Sequence, residues 1–93
     1  MDKDTEQHYK NEIARAQHAQ KSYDNFIKPF IHERREVMFD AFQTASVTDQ
    51  NGIMEIKRQL MVVNALENEI LEIIATGKLA AKSLETAAKG DKK

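Results

Sequence analysis

The chain has 93 residues, no cysteine, one proline and three glycines, and its 14 basic residues nearly cancel 15 acidic ones. That size allows one small domain, excludes disulfides and thiolate metal sites, and leaves self-association as the expected supplement to a thin core. A formal charge of −1 counts against a dedicated nucleic-acid binder, whose usual footprint is strongly basic.

Residues 1–25 are polar and carry no apolar stretch after a basic start, so no standard export signal is expected there. The longest uninterrupted apolar run, Leu60 to Val63, is far short of the roughly 20 residues that cross a bilayer, and no membrane association is expected. Alternating β-branched and polar residues are missing throughout. The expected fold class is all-α.

From Tyr9 the first half is periodic. Tyr9, Ile13, Ala16, Gln20, Tyr23, Ile27, Phe30, Arg34, Val37 and Ala41 are spaced 4-3-4-3-4-3-4-3-4, a heptad seam with Gln20 and Arg34 as its polar members. Pro29 has no N–H to donate and disfavours helical backbone at Lys28, so a kink or break is expected around Asn25–Lys28, with the seam keeping its phase. Phe26, Phe30, Phe39 and Phe42 gather aromatic bulk into residues 26–42, where the densest packing is expected.

Thr44 to Gly52 holds turn and capping residues and little else, and Thr48 or Asp49 is placed to cap the next helix. Beyond it, Ile53, Ile56, Leu60, Val63, Leu66, Ile70, Leu71, Ile73 and Ile74 fall on one arc of roughly 160° at 100° per residue, an amphipathic helix facing a core. Met54, Met61 and Ala65 make a second, narrow stripe on the opposite side. Gly77 is placed to end that helix as a C-terminal cap.

The expected domain is 1–89, with helices near 4–25, 28–45, 49–76 and 78–88 and a disordered tail at 90–93. A short connection between long amphipathic helices makes an antiparallel helical hairpin, with a kinked or broken first helix and coiled-coil-like, oligomeric packing. It is expected to bury the Val37–Phe42 face against Ile53–Val63.

Chemistry-bearing groupings are sparse. His8 and Glu12 stand one helical turn apart, but His18 falls on nearly the opposite face and no His-Glu-x-x-His pattern occurs. Arg34 and Arg35 lie beside Glu33 and Glu36, a self-neutralising face, although Arg34 also sits on the seam. Glu69 and Glu72 lie on a polar face with no apolar pocket to raise a pKa, and no phosphate loop or nucleophile triad is present. No catalytic role, cofactor or metal is expected. The expected partner-contact residues are Met54, Met61 and Ala65, with Tyr9, Ile13, Tyr23 and Arg34 from the first seam; methionine adapts well to an imperfect partner surface.

Several stretches together resemble a group of small helical proteins of tailed bacteriophages and prophages. They are Asn25-Phe-Ile-Lys-Pro-Phe-Ile, Phe39-Asp-Ala-Phe-Gln-Thr, Thr48-Asp, Leu60 to Leu66, and Ile73-Ile-Ala-Thr-Gly-Lys-Leu-Ala-Ala-Lys-Ser-Leu-Glu. The resemblance covers roughly residues 13–86. It implies genes near those for the head, portal and packaging machinery, and a location in the host cytoplasm or the virion. The implied role is virion assembly or structure, by contact with further copies of the chain or with a larger phage structural protein.

Two rival functions follow from other features. A DNA-packaging accessory would use the lysine-rich end, where five lysines after Thr76 outnumber Glu85 and Asp91, together with Arg34 and Arg35. A small inhibitor of a host protein would use the hairpin itself.

Overall fold

The computed structural model describes residues 1–90, which are helical apart from the first two and the connection at 45–49. Helix α1 spans Lys3–Ser22, a single π turn spans Tyr23–Ile27, α2 spans Lys28–Thr44 and α3 spans Gln50–Gly90. The first three run on as one limb, and α3 returns antiparallel beside it. The hairpin measures 68 × 22 × 19 Å, with a radius of gyration of 19.9 Å. A compact chain of this length has a radius of about 12 Å. The molecule is a rod.

Its ends and corner are set by short polar side chains. Asp2 caps α1 by accepting from the Thr5 N–H at 2.7 Å. Asp49 caps α3 by accepting from the Gly52 N–H at 3.0 Å, while the Thr48 hydroxyl instead meets Ser46 Oγ at 2.8 Å inside the corner. The Asp49 N–H donates to the Ser46 carbonyl at 2.9 Å, which closes the turn between the limbs.

Of the kink or break that Pro29 led us to expect around Asn25–Lys28, the first limb shows no break; it widens there. The Lys28 N–H donates to the carbonyl of Tyr23, five residues back, in place of the usual four. Proline at 29 has no N–H for the Asn25 carbonyl, and its ring crowds that carbonyl in a regular helix. One wider turn relieves both problems without ending the helix.

The π turn also corrects the expected phase of the seam. It absorbs one extra residue, so every side chain after it moves one position along. Ile31 and Met38 face α3 at 1% and 2% exposure, whereas Phe30 and Val37, the seam positions expected from the heptad count, lie outside at 54% and 49%.

Helix α3 is a single rod of 41 residues, about 60 Å long at 1.5 Å per residue. The separate helices expected at 49–76 and 78–88 are therefore one, and Gly77 is not a cap. It is buried in mid-helix, where α1 crosses close to it. A Cβ at residue 77 would overlap the Ala16 methyl and come within 3.1 Å of the Glu12 carbonyl oxygen. The need is for close approach, with the backbone in ordinary helical conformation. Gly90, expected to open a tail, is helical and is the last described residue of α3; residues 91–93, including Lys92 and Lys93 of the basic end, lie outside the described residues.

Side-chain size decides how the limbs pack. Along α1 the contact is built from Ala16, Gly77 and Ala80, all buried, and the two backbones come close together. Along α2 the spacers are Ile31 and Met38, and the helices stand farther apart. The expectation of densest packing at 26–42 is thus reversed. Facing them, α3 presents Ile53, Ile56, Leu60, Val63, Glu67, Ile70, Ile74 and Gly77, spaced 3-4-3-4-3-4-3, none of them exposed. A single helix covers only a narrow seam of this kind. Leu66 and Leu71, at the edges of the expected arc, are left exposed.

Candidate interaction surface

Mid-hairpin, one polar cluster locks the two limbs in register. Glu67 projects from α3 into the seam. Its carboxylate accepts from the Tyr23 hydroxyl at 3.1 Å and from Arg35 Nη2 at 2.9 Å. The same Arg35 nitrogen reaches Asn64 Oδ1 at 2.8 Å. The Arg35 hydrogen bond holds the Glu67 carboxyl below its ordinary value, against the opposing effect of burial. Burial, seconded by the bond to Glu67, pushes the Tyr23 phenol up. Tyr23 enters from the π turn and Arg35 from α2, so a single carboxylate ties the widened turn to the second helix.

Two open grooves flank the α2–α3 seam, one on either side of Met38. Arg34 lies on one rim with Glu55, Arg58, Gln59 and Val62; its Nη2 stands 3.5 Å from Gln59 Oε1. On the other side Phe39 and Phe42 overhang Ile56 and Leu60. Farther along, α1 and α3 enclose a polar cleft of Glu12, Arg15, Glu69, Glu72 and Thr76 beside Ile73.

The dominant surface feature is apolar. All four phenylalanines are more than half exposed, Phe26 most of all at 73%, and Val62 is 68% exposed. They fall on two flanks, with Phe39 and Phe42 on the Arg35 side of Met38. Phe26 and Phe30 are one turn apart and precede the inward-facing Ile27 and Ile31 by one residue each, so they share one flank; Val37 lies two turns on. Val62 and Leu66 continue that flank on α3, because Val62 shares the groove with Arg34 and Arg34 is one turn from both Phe30 and Val37.

The expected contact residues divide into two groups. Met54, Met61 and Ala65 are exposed on the back of α3, away from the seam. Tyr9, Ile13, Tyr23 and Arg34 turn toward α3 and are half-buried, with Tyr23 bonded to Glu67 and Ile13 lining a cleft with Ala16, Ile74 and Gly77. Glu67 was missed among the candidates, although its place in the 3-4 spacing between Val63 and Ile70 marks it as a seam position. The exposed aromatic flank was missed because the extra residue of the π turn is silent in a heptad count.

His8 pairs with Glu12 at 2.6 Å and His32 with Glu36 at 3.0 Å, each along one helix. Among the described residues no group of three or more His, Cys, Asp or Glu side chains is placed to hold a metal ion. Among the described residues no helix is long and apolar enough to cross a membrane. No protein-family model matches the chain, and no curated protein or solved structure matches it either.

Proposed function

We propose that this hairpin works by helix-mediated contact with other protein chains, first of all with itself, and performs no catalysis. The observation that carries the reading is the exposure of all four phenylalanines on a rod whose buried core consists of a few small and medium side chains. Contiguous exposed apolar surface, such as the flank of Phe26, Phe30, Val37 and Val62, marks interaction sites in soluble proteins, and aromatic side chains are enriched where partners meet. The π turn supports the reading, since it turns Phe30 and Val37 outward while Ile31 and Met38 suffice for the seam.

The setting we propose is the assembly or structure of a tailed-phage particle, with a larger structural protein as a further partner. This rests on the sequence resemblance alone. The test is the mass of the chain in solution, by sedimentation equilibrium at concentrations from about 1 to 200 μM. Association should give at least twice the chain mass of 10.7 kDa. A monomer across that whole range sinks the self-contact reading.

A further inference from the structure

We propose that the Phe26, Phe30, Val37, Val62 and Leu66 flank is the seam of an antiparallel, two-fold homodimer, in which two hairpins form a four-helix bundle. The inference rests on the self-contact reading above and adds the surface, the partner and its orientation.

Surface area argues for a second copy as the occupant. The chain exposes 7399 Å², whereas a compact monomer of its mass exposes about 5,500 Å². The excess of about 1,900 Å² is on the scale that each subunit of an obligate dimer buries, roughly 1,000–2,500 Å². Both limbs contribute to the flank, so a partner of the same rod shape covers it along its length. Helices of two such rods pack at the shallow angle of a four-helix bundle.

Charge sets the direction. The contacts Arg34–Gln59, Tyr23–Glu67 and Ala16–Gly77 give the register of the two limbs, and the apolar flank occupies its middle. Toward the corner, the same side carries Arg34, with Arg58 beside it already paired to Glu55 at 3.1 Å. Toward the open end it carries Glu69 and Glu72, with Glu12 and Arg15 of α1 across the same cleft. Val62, Leu66, Glu69, Ile73 and Thr76 follow a 4-3-4-3 spacing, which keeps all of them on one face of α3. Among the described residues, Arg34 has no carboxylate within ion-pair distance, and neither Glu69 nor Glu72 has a cation. A two-fold axis near Phe30 and Leu66 exchanges the ends, and lays Arg34 of one copy over Glu69 of the other. A parallel pairing would set Arg34 against Arg34 and Glu69 against Glu69. An isologous contact of this kind closes at two copies.

The test compares three sets of variants of the full chain by sedimentation equilibrium, with circular dichroism as the check on helicity. Phe30→Glu with Leu66→Glu should halve the mass to 10.7 kDa with helicity retained, and Met54→Glu with Met61→Glu should leave the dimer intact. Arg34→Glu and Glu69→Arg should each weaken association at least tenfold, and the double variant should recover most of it. Because the chain has no cysteine, Leu66→Cys provides a reading that survives if the glutamate variants misfold. It should form a disulfide-linked dimer under mild oxidation, while Met61→Cys should not. A dimer that dissociates on the methionine substitutions but withstands Phe30→Glu with Leu66→Glu overturns the surface and leaves the self-contact reading standing. No recovery in the Arg34/Glu69 double variant overturns the antiparallel orientation. A wild-type chain that stays monomeric overturns both readings.

Discussion

Gly77 of α3 lies directly against the Ala16 methyl of α1, and no side chain fits between them. Substituting Gly77→Ala sets two effects against each other. Intrinsic helix propensity favours alanine by about 1 kcal/mol in mid-helix, while the added methyl must push the limbs apart, which typically costs about 1–3 kcal/mol in a packed core. Overlap with Ala16 leaves no room for relaxation in place, so packing should win. The expected outcome is a net loss of about 1–2 kcal/mol, seen as a fall in Tm of roughly 4–8 °C per kcal/mol. Gly90→Ala, whose new methyl meets no side chain or other limb among the described residues, should leave Tm unchanged or raise it. Adding Ala16→Gly to Gly77→Ala should return most of the loss.

The one-residue offset at the π turn makes a sharp contrast between neighbours. Ile31 is 1% exposed and Phe30 54%. Ile31→Ala should cost about 2–4 kcal/mol, the usual range for emptying a buried aliphatic site. Phe30→Ala, measured in dilute solution where the chain is not associated, should change stability by less than about 1 kcal/mol. Thermal or urea melts of the two variants decide it. Equal losses would mean that the heptad phase continues through Pro29 unshifted.

These two positions show how far the sequence could be read. Helical class, hairpin topology and the Asp49 corner follow from local rules, because periodicity, capping and turn chemistry act over a few residues. The seam through Tyr9, Ile13, Ala16 and Ile27 follows for the same reason. What failed were features that depend on the other limb. Gly77 has the composition of a cap, and only α1 crossing beside it makes it a packing glycine. Pro29 announces a disturbance, but whether the chain breaks or widens is decided by the gain from burying Ile31 and Met38 on α3. The exposure of Phe30 and Val37 is the outcome of that choice, which is why the flank proposed for self-contact lies apart from Met54, Met61 and Ala65 among the expected contact residues.

The Tyr23–Glu67–Arg35 cluster gives a pH dependence whose sign can be worked out. The Glu67 carboxyl is held below its ordinary value of 4.5 in the folded chain. The unfolded chain therefore binds this proton more tightly, and the stabilisation is present above about pH 4.5 and lost as pH falls through the folded value. Tyr23 is raised above 10.0, so its contribution is present below about pH 10 and lost as pH rises through its folded value. Glu67→Gln should lower stability at neutral pH by about 1 kcal/mol, since Arg35 is partly solvated. The gap between wild type and variant should close as urea melts are taken from about pH 7 down to about pH 3. A constant gap over that range would show that the carboxylate charge contributes nothing.

The π turn itself can be removed. The Lys28 N–H already bonds the Tyr23 carbonyl, so deleting Asn25 turns that i→i−5 bond into an ordinary i→i−4 bond. With the deletion, both α1 and α2 keep their present faces toward α3, because the extra residue is what the wider turn absorbs. Pro29 must go with it, since its ring would crowd a regular helix and cost about 3 kcal/mol. The chain lacking Asn25 and carrying Pro29→Ala should therefore fold with unchanged helicity and stability within about 1 kcal/mol of wild type. Deleting Gln17 instead, in the middle of α1, moves Tyr9 and Ile13 about 100° away from their positions against α3. That variant should lose several kcal/mol, or fail to form the α1–α3 contact at all. Circular dichroism and urea melts of the two deletions separate the outcomes. Equal damage from both would mean that the residues of the π turn are needed for contacts of their own, the Tyr23–Glu67 bond first among them.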